Sequence, residues 1–179
     1  MTECHQTDVL IIGSGIAGAT AALMLTEADI HVTVVTRASD PADSSTLKAQ
    51  GGIIYRGEND TAQLLEKDIL RAGAGLSHPP AVKILADEGP DLVKQLLIEK
   101  LGIDFDREKN GHLSLVAEGG HSLPRILHTT DATGKTIEQA LIKTVKNHPK
   151  ITLLKGHTAI DLLTPQHHSL NRLEVYSPR

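Results

Sequence analysis

"DVLIIGSGIAGATAALMLTEAD", residues 8–29, opens on a short continuous apolar run and passes through Gly13, Gly15 and Gly18 into an Ala/Leu-rich stretch. An unbroken apolar run of that length marks a strand covered on both faces, and the stretch after the glycines has helical composition. A second run, "HVTVVTR" at 31–37, carries the β-branched residues of a neighbouring parallel strand, reached by a right-handed crossover through the helix. The glycine spacing suits a dinucleotide cradle: Gly13 for the tight turn, Gly15 for backbone approach to a diphosphate, Gly18 for close packing of helix on strand. Free N–H groups and the positive helix end then meet the phosphates. Alone, the three glycines also fit an ordinary turn; the flanking strands and helix favour a nucleotide site.

The fold class expected is α/β, a Rossmann-like domain with a parallel sheet. At 179 residues and 40% hydrophobic composition the chain can bury one core. A net charge of -4 offers no basic field for nucleic acid or an anionic membrane, and one Phe, two Tyr and no Trp leave little for base stacking. No apolar run approaches the roughly 20 residues of a membrane span, and no leader precedes the first strand, so a cytoplasmic location is expected. The single Cys4 excludes an internal disulfide framework and reads as incidental.

The second strand ends in Thr36 and Arg37, where a ribose-binding acid would normally stand. Its absence weakens a plain NAD reading, and an NADP reading through Arg37 leaves the next segment, "SSTLKAQGGIIYRG" at 44–57, without a purpose. There Gln50, Gly51 and Gly52 follow a hydroxyl-rich loop and enter an apolar strand, leaving room for a planar ligand on bare backbone. Read alone, a polar loop with a glycine pair fits equally. Further on, "EGGHSLPRILHTTDATG" at 118–134 sets Glu118 beside two glycines. On the residues alone a solvated loop acid is the better reading of Glu118.

Other features are structural. His121, Arg125 and His128 have no Cys or carboxylate at ligand spacing, so no metal is expected. Ser122 and His121 are adjacent and lack an orienting acid, which argues against a nucleophile pair. "TAQLLEKDILRAGA" (61–74) and "HPPAVKILADEGPDLVKQLLIEKLG" (78–102) read as packing helices, with Pro90 starting a fresh helix and Gly102 ending it. "GIDFD" and "GHLSLVAE" read as extended pieces around the turn Asn110-Gly111. A helix over 133–148 is capped by Thr133 or Asp131, with Glu138 near its first turn and Lys146 and His148 at its negative end. "ITLLKGHTAIDLLT" supplies a third parallel strand, and "RLEVYSPR" starts an antiparallel β-meander, with His167 and His168 in a polar hairpin loop. The resulting segments are a βαβ unit (8–56), a helical insertion (60–110), a ligand-facing segment (111–134), a helix and third strand (133–163), and the start of the meander to 179.

"GSGIAG", "SSTLKAQGG" and "EGGHSLPRILHTTDATG" together resemble the succinate dehydrogenase and fumarate reductase flavoprotein family, and within it the L-aspartate oxidase branch. The resemblance implies FAD, with Ser14, Gly15, Ile16 and Ala17 at the pyrophosphate, Arg37 near the adenosine ribose, and Thr158 at adenine. It implies that Ser45, Thr46, Leu47, Lys48, Ala49, Gln50, Gly51 and Gly52 line the flavin. Covalent members carry a flavin-linked histidine four residues before the alanine of A-Q-G-G; Ser45 stands there, a poor nucleophile with no neighbouring base, so non-covalent FAD is expected. Lys48 departs from the aromatic expected there.

By the same resemblance Glu118 faces the substrate, suited to the ammonium group of L-aspartate and unfavourable to a bare dicarboxylate, while Gly119 and Gly120 keep side chains out of the way. The implied reaction is hydride transfer from Cα of L-aspartate to flavin, giving iminosuccinate at the first step of NAD biosynthesis, with O2 or fumarate as acceptor and quinolinate synthase as partner. Family members are longer, with a capping domain that supplies the catalytic arginine. The chain is therefore expected to be an N-terminal fragment with poor isolated activity and an exposed first strand. Two rivals stay open: a non-covalent fumarate reductase or succinate dehydrogenase type, and a non-catalytic FAD-binding remnant.

Overall fold

The computed structural model describes residues 4–130 and 132–163. Strand β1 (Val9–Ile12) leads through the glycine turn into helix α1 (Ile16–Glu27), then β2 (Val32–Thr36). A one-turn helix α2 (Ser45–Lys48) and short strand β3 (Ile53–Ile54) precede α3 (Ala62–Ala72) and α4 (Pro79–Leu92). Strands β4 (Leu115–Val116) and β5 (Ile126–Leu127), helix α5 (Thr133–Asn147) and strand β6 (Ile151–Lys155) follow. The two sheets have orders β1-β2-β6, all parallel, and β3-β5-β4, all antiparallel.

In the parallel sheet Val32 lies opposite Val9 on one side and Ile151 on the other, so β2 is central, and its "VTVVT" sequence is nearly all buried. β-Branched side chains stack well on such a pleated surface. Helices α1 and α5 pack on each other and on this sheet: Ala19, Ala22 and Leu23 meet Ile137, Leu141 and Val145 in one core with Leu97 and Phe105. Each fully buried Leu or Phe contributes roughly 1.5–3 kcal/mol relative to exposure. Strand β1 is at the sheet edge, with Leu10 and Ile12 about half exposed.

Several local expectations change. Pro90 does not start a helix: it lies inside α4, which runs on without a break into a wider turn over Val93–Lys100. Leu101 N–H bonds Leu96 O at 2.9 Å, an i→i+5 closure. One missing N–H and one ring are absorbed because Ala86, Pro90 and Val93 keep the buried stripe continuous. Gly102 ends this helix with φ +64. The hydroxyl-rich loop contains a helical turn, with Ser44 Oγ accepting from Leu47 N at 3.3 Å. Thr133 does not cap α5: its hydroxyl accepts from Thr129 N at 3.0 Å, and the N-cap residue Ala132 makes no side-chain bond. "GIDFD" is extended as read but carries no regular strand, Asp106 N bonding His128 O at 3.0 Å and Asp106 O accepting from Ser114 N at 2.8 Å. Asp131, His167, His168 and the expected meander at "RLEVYSPR" lie outside the described residues.

Helix α1 leaves β1 at an angle that only hydrogen at Gly18 permits, because a Cβ there would lie 2.0 Å from Gly13 O. Gly18→Ala should lower the unfolding free energy by roughly 3 kcal/mol, the upper range for forced overpacking. Gly89→Ala, inside α4 with only Leu85 Cγ near at 3.8 Å, should raise it by about 0.5–1 kcal/mol through helix propensity. Urea melts measure both, and equal effects would contradict the close approach.

Candidate functional site

A cavity of about 800 Å³ opens outside the carboxyl ends of β1, β2 and β6, bounded by residues 12–18, 35–38, 43–46, 48 and 157–159. Open parallel sheets bind ligands at this end, where helix N-termini also point. Gly13, at φ +109, makes the turn and donates to Val35 O at 2.8 Å. Gly15 is the N-cap of α1 and brings no capping side chain, and the residues of that turn border the cavity. A Cβ on Gly15 would lie 3.2 Å from Thr46 Oγ1.

Two hydroxyls shape this cradle. Thr46 Oγ1 accepts from Ile16 N at 3.0 Å, tying the loop to the start of α1. Ser14 Oγ donates to Pro41 O at 2.7 Å and is buried, which leaves the backbone of Ser14 as its contribution to a ligand. Among the residues singled out in the sequence, Gly13 to Gly18, Arg37, Ser45, Thr46, Lys48 and Thr158 border the cavity. Leu47, Ala49, Gln50, Gly51 and Gly52 do not; they carry the loop onward. Asp43, which pairs with Lys48 at 3.2 Å on the surface, and Ser44 border it without having been foreseen.

The loop ends against residue 118. A Cβ on Gly51 would lie 3.8 and 3.9 Å from the two carboxylate oxygens of Glu118. A Cβ on Gly52 would lie 2.2 Å from Leu127 O, so that glycine lets β3 begin directly on β5. Glu118 to His121 form a β-turn closed by His121 N to Glu118 O at 3.1 Å, with Gly120 at φ +92, the positive angle a type II turn demands at its third residue.

Arg125, fully buried, forks onto Asp60 at 2.7 and 2.8 Å, reaches Asp68 Oδ2 at 2.7 Å and contacts His121 Nδ1 at 3.1 Å. Because guanidinium can only donate, His121 Nδ1 accepts. Burial alone would weaken the Arg125 charge, but the two aspartates outweigh it and hold its pKa above the ordinary value. His128 instead lies 3.4 Å from Asp106, away from this cluster. The acids were missed because Asp60 and Asp68 stand 65 and 57 residues from Arg125, and no local pattern marks such pairs.

The FAD binding domain family matches residues 8–176. The chain belongs to this family. Its cofactor is FAD. The L-aspartate oxidase of Halobacterium salinarum is 39% identical over 166 residues, 93% of this chain and 32% of that protein. That of Streptomyces coelicolor is 44% identical over 159 residues, 88% of this chain and 27% of that protein. The chain thus spans about a third or less of the length of these curated relatives. Among solved structures, Mycobacterium smegmatis Sdh1 superposes with TM-score 0.78 at 30% identity, over 87% of this chain and 28% of that one. An E. coli quinol fumarate reductase gives 0.82 at 24% identity, over 89% and 27%, and shows the shared fold. The residues present fit the cofactor: a glycine-lined turn at a helix N-terminus, a cavity of dinucleotide size and a loop with bare backbone at Gly51. No helix among the described residues is long and apolar enough to cross a membrane.

One residue of this FAD-binding domain was undervalued in the sequence. Glu138, expected near the first turn of α5, is fully buried, and neither carboxylate oxygen has a hydrogen-bond partner. Burial pushes its pKa up; the nearby Ser44 hydroxyl, outside hydrogen-bond geometry, opposes this in part. A carboxyl whose folded pKa exceeds its unfolded value favours the folded state at acid pH and loses that contribution as pH rises through the folded value. Stability without FAD should therefore decline as pH is raised above 4.5, and Glu138→Gln should remove that part of the decline. Thermal melts across pH test this; parallel curves for the two proteins would contradict it.

Proposed function

We propose that this chain is the FAD-holding part of an enzyme that oxidises L-aspartate to iminosuccinate. The observation that carries the reading is the Glu118 carboxylate held over Gly51 of the FAD loop. Similarity to L-aspartate oxidases at about 40% identity supports it. Bound FAD supplies the two-electron acceptor, with O2 or fumarate as terminal acceptor.

The chain's own residues divide the work. The amides after Gly13 and the N-terminus of α1 hold the diphosphate, with Ser14, Gly15, Ile16 and Ala17 nearest and Gly18 allowing the approach. Arg37 and Thr158 take the adenosine end, and the loop from Ser45 to Gly52 takes the flavin. Glu118 then presents negative charge where a substrate ammonium would lie, and it repels a dicarboxylate without one. Gly119 and Gly120 leave that approach open: nothing stands within 4 Å of a Cβ built on Gly119. The imine product is consumed in water, which suits delivery to a partner enzyme such as quinolinate synthase. Ser45 offers no nucleophile for a flavin link, so FAD is held non-covalently.

Two measurements test this. Acid precipitation of the FAD-loaded protein should release all yellow colour to the supernatant; colour in the pellet would overturn the non-covalent reading. In the FAD-loaded enzyme carrying this chain, Glu118→Gln should reduce the preference for L-aspartate over succinate by about 30-fold, corresponding to roughly 2 kcal/mol for a desolvated charge pair. An unchanged preference would sink the role of Glu118, and turnover of fumarate with none of aspartate would favour a fumarate reductase.

A further inference from the structure

Helix α3 holds the Glu118 turn and the residues just after it at three points. Asp68, 2% exposed, directs Oδ2 at Ser122 N (2.8 Å), Ser122 Oγ (2.7 Å) and Arg125 Nη1 (2.7 Å). One turn on, Arg71 donates to Gly120 O at 3.1 Å and approaches Asp68 Oδ1 at 3.4 Å. A Cβ on Gly120 would touch Ala72 Cβ at 3.4 Å, so the turn rests on the end of α3 itself. Two aspartates, Asp60 and Asp68, thus face two arginines, Arg71 and Arg125, in a cluster without net charge. Although burial works to raise the pKa of Asp68, the Ser122 and Arg125 hydrogen bonds outweigh it and hold the carboxyl well below the usual range.

Such a cluster is more than packing requires. A buried ion pair gains little over an apolar replacement of similar shape, while fixing geometry is its best-attested use. Here the side-chain bonds from Asp68 and Arg71 to this stretch land on Gly120, Ser122 and Arg125, all of them after Glu118. The Glu118 carboxylate is left to face Gly51 while the residues that follow it are held by α3.

We propose that Asp68 is a positioning residue of the substrate site, acting through the Glu118–His121 turn to set the preference for an amino dicarboxylate. This rests on the role proposed for Glu118. The readout is the ratio of the succinate inhibition constant to the KM for L-aspartate, measured on the FAD-loaded enzyme carrying this chain.

Asp68→Asn should lower that ratio nearly as far as Glu118→Gln. Arg71→Ala and Ser122→Ala should each lower it about threefold, the worth of one hydrogen bond, and Arg71→Lys should restore part of the loss. Arg71 is exposed, so its variants fold and decide the matter even where Asp68→Asn does not. The decisive comparison is the double variant: if Asp68 acts through Glu118, Asp68→Asn changes the ratio no further once Glu118→Gln is present. Additive effects, or a ratio untouched by Asp68→Asn and Arg71→Ala while Glu118→Gln changes it, overturn this inference alone. A ratio unchanged by Glu118→Gln overturns the role of that residue and this inference with it.

Discussion

The loop from Ser44 to Gly52 is wedged between two helix N-termini, and the site exists only because it is. From one side the Thr46 hydroxyl binds Ile16 N–H at the start of α1. From the other, Gly134 at the start of α5 comes so close that a Cβ would lie 2.1 Å from Thr46 O and 2.4 Å from Ala49 O, and Gly134 N–H bonds Ala49 O at 3.2 Å. The far end of the loop enters β3, which pairs with β5. The loop is thereby held along its length, from the glycine turn at the start of α1 to the carboxylate of Glu118. Rigid support of this kind is what lets a site position a ligand to within fractions of an ångström.

Charge is placed along that loop with a clear division. Arg37 and Lys48 border the cavity beside the glycine turn, and the Glu118 carboxylate stands at the far end of the loop. The paired ions, Asp60 and Asp68 with Arg71 and Arg125, balance in charge and impose geometry. Glu138 is the exception, a buried acid with no partner beneath Ser44. Unpaired buried acids of this sort are destabilising and concentrate at functional sites, where low dielectric magnifies their effect.

Much of this was legible from the chain. The strand, glycine turn, helix and second strand between Asp8 and Arg37 follow local rules of apolar run length and glycine spacing, and they appear as read. So does the third parallel strand, whose "ITLLK" pattern admits few alternatives. Resemblance, not periodicity, singled out Glu118. What escaped was decided by distant partners. Asp68 looked like one more polar residue on an amphipathic helix, because the groups it binds stand 54 and 57 positions away. Pro90 looked like a helix start, since local propensity weighs the missing N–H more heavily than a continuous buried stripe does. Thr133 looked like a cap but was recruited by Thr129. Glu138 carried no sign of burial, as its neighbours in sequence are ordinary helix formers.

The central claim is that one molecule of FAD spans from the first turn of α1 to the turn at Glu118. Amide hydrogen exchange of the protein with and without FAD tests it most directly. Protection should rise together at residues 13–18, along 44–52 and at 118–121. Protection confined to 13–18, with the Glu118 turn exchanging at the same rate in both states, would contradict it.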